Sequence, residues 1–465
     1  MTAPAPKSIA VLGAGITGLT AAFRLVQRGH RVRLFEASDR VGGAIRTEIS
    51  DGWLAEAGPN TILAGDPALA ALIDELGLAP ERVAADPAAK NRYIVRRGVP
   101  VAAPLSPPAF LASGLFSAGA KCRVLAETLT RPRVRLADLS LADFIRAHFG
   151  QEFVDYALNP FVTGIWAGDL EKLSTRHTFP SLWEMERRHG SLVRGQNAAA
   201  KKARVSGAAR GIFSFRRGLQ VLPDALAARL PVGTLALRAR VEALTPAAPA
   251  ATSAKEGQAW SVIWNDGASA RTETFDAIIA ALPAPALAQL RFGALGERPL
   301  SSLDTIAHPP VSSLFLGYCR EQVAHPLDGF GVLVPAVENR AVLGILFSSS
   351  LFPNRAPDGH VALTVIVGGT RQPEIARLGA DEILARITPD LRQLLGVSGV
   401  PVFLRHTFWP RAIPQYNLGH EAHLETIAAA ERAHPGFFVG GQVRDGIALP
   451  ACLAAGEKLA ARAIA

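Results

Sequence analysis

The chain of 465 residues is 49% apolar with a formal net charge of +9. That supplies ample material for a globular core, and more than the ~250–300 residues at which single cores stop growing, so two or three domains are expected. No run of about 18 apolar residues occurs, which argues against a membrane-spanning helix. The three scattered cysteines, Cys122, Cys319 and Cys452, form no CxxC pair and no Cys/His cluster, so neither a disulfide framework nor a zinc site is supported. The basic balance favours anionic partners, but no nucleic-acid motif accompanies it and nucleic acid is set aside. The opening MTAPAPKS lacks the basic-then-apolar pattern of a secretory signal, which predicts a cytoplasmic protein.

The first predicted unit is SIAVLGAGITGLTAAFRLVQRGHRVRLFE. Ile9 to Leu12 is a short apolar run suited to a strand buried on both faces of a parallel sheet. It leads into Gly13, Ala14, Gly15, Ile16, Thr17 and Gly18, and then into a helical pattern. Gly13 permits the tight turn, Gly15 lets backbone approach a pyrophosphate, and Gly18 lets helix and strand pack closely. A second strand ends at Glu36, placed to accept a ribose hydroxyl, with Ala37 beside it. Strand, glycines, helix, second strand and acid fall in the order of a dinucleotide site, but that order does not separate NAD from FAD. The next residues, Arg40-Val41-Gly42-Gly43-Ala44-Ile45-Arg46-Thr47, resemble the RxGGxxxT segment of flavin amine oxidases and their relatives. The resemblance implies FAD.

Further along, DPALAALIDELGL predicts an amphipathic helix closed by glycine. The stretch LADFIRAHFGQEFVDYALNPFVTGIWAG reads as helical until Asn159-Pro160 interrupts it. KKARVSGAARG (201–211) reads as a basic loop. From about 211, LALRARVEALTP and AWSVIWND are expected as neighbouring strands, joined by the small-residue loop PAAPAATSAKEG (246–257). FDAIIAALPAPALAQL is a buried strand, a Pro turn and a helix. Residues 311–368 hold strand-like runs too close together for helical crossovers, which predicts an antiparallel sheet. The segment VPVFLRHTFW is another strand. The chain closes on a strand, a glycine pair and an apolar helix, whose amino end can favour negative charge on a nearby ring.

NPFVTGIWAGDLEKLSTRHTFPSLWEMERRHGSLVRG, FSFRRGLQVLPDAL, LGILFSSSLFPNRAP, FWPRAIPQYNLGH and the closing GIALPACLAAG closely resemble segments of the oxygen-dependent, FAD-containing protoporphyrinogen oxidases. The similarity runs from residue 8 to the end. It implies six-electron oxidation of protoporphyrinogen IX to protoporphyrin IX in three flavin turnovers, with oxygen as acceptor and hydrogen peroxide as by-product. It implies an α/β fold with a discontinuous Rossmann-like FAD-binding domain (1–88, 211–300 and 409–465). An inserted α+β substrate domain would take 89–99 and 301–408, and a mainly helical lid or membrane-associating domain 100–210.

By the same resemblance, Gly13 to Gly18, Glu36, Ala37, Gly42 and Gly43 would hold the ADP portion. Ala44 and the Gly58-Pro59-Asn60-Thr61 turn would lie further along the cofactor. Val241 would contact adenine through its backbone, and Gln442, Ile447, Ala448 and Leu449 would complete the cradle. No cysteine stands near FWPRAIPQY, where monoamine oxidases attach flavin, so non-covalent FAD is expected. Arg92 would face a propionate, for which a guanidinium is a planar bidentate match. Phe330, Leu333, Leu346, Ile366 and the backbone of Gly164 would contact the macrocycle. No acid–base residue is assigned; the flavin carries the redox chemistry.

The run PPAFLASGLF with Lys121, Arg123, Arg131 and Arg133 around it reads either as a lid or as a face for an anionic bilayer at the inner side of the cell membrane. A ferrochelatase that receives the product is a further partner the resemblance suggests. Three rivals stay open: a coproporphyrinogen III oxidase, a flavin oxidase or desaturase acting on amines or polyenes, and a flavin-binding assembly protein without turnover.

Overall fold

The computed structural model describes residues 5–205, 211–246 and 259–465. Its first layer is a five-stranded parallel sheet ordered Leu235–Ala236, Arg31–Phe35, Ser8–Leu12, Ala277–Ala280, Phe437–Val439. Its strands come from both ends and the middle of the chain. Ile9 to Leu12 are buried, as two-sided coverage demands. Against one face pack the helices Ile16–Gln27 and Leu449–Ile464, joined in one core by Leu19, Leu25, Leu453 and Leu459. The two helices cross closely, because a Cβ on Gly456 would stand 2.5 Å from the Thr17 carbonyl oxygen. The other face is covered by a four-stranded sheet whose Trp260, Trp264 and Phe292 form the second core with Phe437.

A seven-stranded sheet runs Phe403–Trp409, Val311–Cys319, His360–Gly368, Val342–Leu346, Gly329–Leu333, Asn91–Arg96, Val99–Ala102. The strands within 311–368 are antiparallel, as expected. The structure adds Asn91–Arg96, which pairs with Gly329–Leu333 in parallel, so the whole sheet is mixed. Side chains alternate between faces along each strand. Val332, Ile345, Val365 and Leu314 bury one face against the helix Ala380–Leu395, which presents Ile383, Ile387, Leu391 and Leu394. The other face carries Leu333, Leu346 and Ile366, all half-buried.

Three local expectations change. Asn159-Pro160 does not interrupt the helical path. The break falls at Gly150 (φ 85), and from there the helical path runs on to Trp166 through Pro160. The turn before it, Val154–Leu158, is the wider π form. LALRARVEALTP is two strands: Leu235–Ala236 joins the parallel sheet and Arg240–Pro246 the four-stranded one, separated at Arg238 (φ 54). Residues 201–205 of the expected basic loop belong to the helix Leu192–Val205. Residues 206–210 of that loop, and 247–257 of the small-residue loop, lie outside the described residues.

Candidate functional site

The glycine-rich turn is shaped by backbone constraints. Gly13 (φ +94) donates to the Phe35 carbonyl at 2.7 Å, and a Cβ on Gly18 would lie 1.9 Å from the Gly13 carbonyl oxygen. At Gly15 a Cβ would meet nothing within 4 Å. Gly15 also caps the helix Ile16–Gln27 without any side-chain hydrogen bond, so its first N–H groups and positive dipole end are available to an anion.

Glu36 accepts the Ala14 N–H through one oxygen (2.8 Å), and the Ser38 N–H (2.9 Å) and hydroxyl (2.8 Å) through the other. A carboxylate has about four acceptor positions, which leaves room for a ribose hydroxyl. Ala37 beside it is exposed. Thr17 turns away, donating to the Cys452 carbonyl at 3.0 Å and tying the first helix to the last.

Gly42 (φ +105) and Gly43 (φ +59) adopt conformations that favour glycine, and the Gly42 N–H donates to Ala14 at 2.8 Å. Arg40 lies under this loop and donates to the carbonyls of Val41 (3.1 Å), Ile45 (2.9 Å) and Gly43 (2.6 Å). It is a clamp on the loop, a role the sequence reading did not assign. The Gly58-Pro59-Asn60-Thr61 turn sits on Ala44: a Cβ on Gly58 would be 2.0 Å from the Ala44 carbonyl oxygen. Trp409 joins this turn to the seven-stranded sheet by donating to the Ala57 carbonyl at 2.9 Å. Val241 is the second residue of the strand Arg240–Pro246, which begins just after Ala239 donates to the Glu36 carbonyl at 2.8 Å.

The closing segment meets the same turn. Gly441 (φ +100) would place a Cβ 3.4 Å from the Thr17 hydroxyl, and its N–H donates to Asp445 at 2.8 Å. Gln442 is exposed, and its carbonyl accepts the buried Tyr416 hydroxyl, which in turn accepts the Gly446 N–H at 3.1 Å. Burial raises the Tyr416 phenol well above its ordinary value. Its ring is buried against Trp166 (5.2 Å between centres) and stacks on His420 (4.3 Å), so Tyr416 braces the closing segment. Ile447 packs against the helical core, and exposed Ala448 caps Leu449–Ile464 with no side-chain bond, giving a second open helix amino end.

Three other predicted residues, Leu333, Leu346 and Ile366, share the half-exposed face of the seven-stranded sheet. Leu333 pairs with Gly344 and Gly344 with Ile366, one row across three strands, while Leu346 lies two residues further along. The helix Asn159–Trp166 runs over this row, since a Cβ on Gly164 would be 2.9 Å from a Leu333 methyl. Arg92 lies on the strand Asn91–Arg96, exposed, its guanidinium 5.6 Å from the Phe330 ring centre. Among the described residues Arg92 forms no ion pair, so its charge is open to a ligand carboxylate.

A small cavity of about 10 Å³, room for one water, joins the two groups: Asn60 and Thr61 line it together with Leu346, Phe315, Glu56 and Arg355. Glu56 and Arg355 were not singled out by sequence reasoning. The available signal was an acid closing the apolar run WLAE immediately before Ala-Gly-Pro.

Residues 16–464 match the family described as flavin containing amine oxidoreductase. The chain is 36% identical to protoporphyrinogen oxidase 2, chloroplastic/mitochondrial, of Arabidopsis thaliana, over 98% of this chain and 93% of the relative. It is 27% identical to the coproporphyrinogen III oxidase of Bacillus subtilis, over 97% and 96% respectively. A crystal structure from Exiguobacterium sp. 255-15, provisionally described as a protoporphyrinogen oxidase, matches with a TM-score of 0.81 at 22% identity over 98% of both chains.

Proposed function

Because the chain belongs to the flavin-containing amine oxidoreductases, and within them to the protoporphyrinogen oxidase family, we infer that it oxidises protoporphyrinogen IX to protoporphyrin IX with oxygen as final acceptor. It is an oxidoreductase and an FAD flavoprotein. The fold is the mixed α/β fold of flavin amine oxidases.

The cradle fits FAD. Open space at Gly15 and two helix amino ends without side-chain caps suit a pyrophosphate and an electron-rich ring. The unfilled acceptor capacity of Glu36 suits a ribose. In this reading Gly13 to Gly18, Glu36, Ala37, Gly42, Gly43 and Val241 hold the ADP portion. Ala44, Gly58 to Thr61, Gln442 and Ile447 to Leu449 hold the rest. Bound FAD supplies hydride acceptance. The chain's own residues bind and orient the substrate. Arg92 pairs with a propionate, the row Leu333, Leu346 and Ile366 packs on the macrocycle by dispersion, Phe330 borders Arg92, and Gly164 lets its helix approach the pyrroles.

The observation that carries the assignment is the open guanidinium of Arg92 on the same sheet face as this apolar row, with the Asn60–Thr61 turn at its edge. The test is an anaerobic stopped-flow mix of the purified protein with protoporphyrinogen IX and, separately, coproporphyrinogen III. Bleaching of the oxidised-flavin band by the former, followed by porphyrin fluorescence on admitting oxygen, is the expected result. Faster bleaching by coproporphyrinogen III would transfer the assignment to that substrate, a reading favoured by the Bacillus relative. Flavin bleached by neither would end both.

The helical segment adds a surface function. Around the helices Pro107–Ala112 and Ala118–Glu127, Leu111, Leu125, Leu129, Val134 and Leu136 are exposed, with Lys121, Arg123, Arg131 and Arg133 interspersed. Among the described residues no helix is long and apolar enough to cross a membrane. An apolar patch with basic residues suits the surface of an anionic bilayer, where an apolar substrate and product would partition.

A further inference from the structure

The strand Trp53–Glu56 is buried along its whole length and ends on an acid with no ion-pair partner among the described residues. Glu56 is 4% exposed and accepts two hydrogen bonds, from the Thr47 hydroxyl at 2.7 Å and the Leu219 N–H at 2.8 Å. Two of its roughly four acceptor positions therefore remain. The charged group nearest in effect is Arg355, itself 3% exposed. Its guanidinium is committed elsewhere, to the Ser214 hydroxyl at 2.8 Å and the carbonyls of Phe215 (3.3 Å) and Pro353 (3.4 Å). Both side chains line the one-water cavity whose other walls include Asn60, Thr61 and Leu346. A buried carboxylate without a counter-ion, opening on a water-sized space at the edge of the substrate face, is placed to exchange a proton with that face.

We propose that Glu56 is the proton acceptor of the site: the proton lost by the porphyrinogen in each two-electron oxidation passes through the cavity water to the Glu56 carboxylate. This rests on the substrate reading given above. In each turn the substrate loses one C–H hydrogen with its bonding electron pair to the bound flavin. One proton also leaves in each turn: in two of the three it comes from a pyrrole N–H, whose electron pair stays on nitrogen, and in one from a bridge C–H, whose pair enters the new π system, so that four C–H and two N–H hydrogens are lost in all. The proton protonates the cavity water as that water hands one of its own to Glu56, which releases it to solvent before the next turn.

Burial is the largest influence on the Glu56 carboxyl and pushes it up to about 7, against the lowering effects of Thr47, the Leu219 amide and Arg355. A base poised near the working pH is the efficient one.

The experiment uses the FAD-loaded protein with Glu56→Gln, which preserves shape and can keep both existing hydrogen bonds. Infrared titration of the oxidised wild type is expected to show a protonated carboxyl band lost near about pH 7 and missing in the variant. Anaerobic flavin reduction by protoporphyrinogen IX is expected to fall at least ~10-fold in Glu56→Gln above neutrality and to lose its pH inflection. Arg355→Met, which removes an attractive charge, is expected to move the wild-type inflection upward. A purely structural Glu56 would leave the pH profile of flavin reduction unmoved in the variant, even though its own band is lost. Unchanged bleaching and pH profile in Glu56→Gln at equal flavin content overturn the assignment. So does a wild type without the titrating band, which needs no variant. No bleaching of wild type by porphyrinogen removes the substrate reading and this assignment with it.

Discussion

In the glycine-rich cradle the decisive contacts are backbone against backbone. Gly18 lies against the Gly13 carbonyl and Gly58 against the Ala44 carbonyl, while Gly42 bonds Ala14. On the face of the seven-stranded sheet the decisive groups are side chains delivered by distant strands: Arg92, Leu333, Leu346 and Ile366. At Gly18 and Gly58 the first region has no room for an added atom. The second is expected to be more sensitive to charge, at Arg92, than to shape. In the proposed function a backbone cradle would hold the cofactor and a side-chain face the substrate.

The sharpest break would be Gly18→Ala. With its Cβ 1.9 Å from a backbone oxygen that cannot move aside, the expected cost is about 3 kcal/mol or more, with loss of flavin. Flavin absorbance per chain and a melting curve measure both. Next in size is the effect of Glu56 on stability. Its carboxyl rises from an ordinary value near 4.5 to about 7 on folding, so the native state binds more protons between those values. Stability therefore falls as pH rises through that window, by on the order of 3 kcal/mol, and levels off above it. Glu56→Gln should flatten this slope, and denaturant midpoints at the two ends of the window would show whether it does.

Arg92→Met is expected to lower kcat/KM by about 10- to 100-fold, mainly through KM, with flavin content unchanged. Arg92→Lys should recover only part, since a point charge lacks the planar fork. Equal kinetics in all three proteins would remove Arg92 from the substrate site. Gly164→Ala is a gentler probe. Its methyl would meet the flexible end of Leu333 at 2.9 Å, so a few-fold rise in KM is expected, relieved by pairing it with Leu333→Ala. The smallest effect on the isolated enzyme should come from Leu129→Glu, at 81% exposure, within about 0.5 kcal/mol of wild-type stability. Its sedimentation with anionic vesicles should nevertheless drop; undiminished binding would point to a lid and away from a membrane face.

The cradle was legible in the sequence because its requirements are local. A positive φ, an absent Cβ and an acid ending the second strand each leave a residue-type signature at fixed spacing, as at Gly13, Gly18 and Glu36. The apolar periodicities likewise gave the strands Ser8–Leu12 and Ala277–Ala280 and the closing helix Leu449–Ile464. The helical path through Asn159-Pro160 differs from the expectation because the turn just before it takes the wider π form, which the residue pattern does not signal. The division of LALRARVEALTP between two sheets was missed because both halves carry the same apolar pattern.

What tertiary structure alone decided is which side chains become neighbours. Arg40 reads as one more surface arginine until the loop folds over it. Tyr416 carries no signal of its own in the sequence, and only the fold bonds its hydroxyl to the closing turn. Glu56 reads as the end of a strand until Arg355, some three hundred residues away, closes the other wall of its cavity. Backbone conformation is set by residues adjacent in the chain and is written there. A buried charge's partners, and with them its proton affinity, are set by whatever the fold brings beside it.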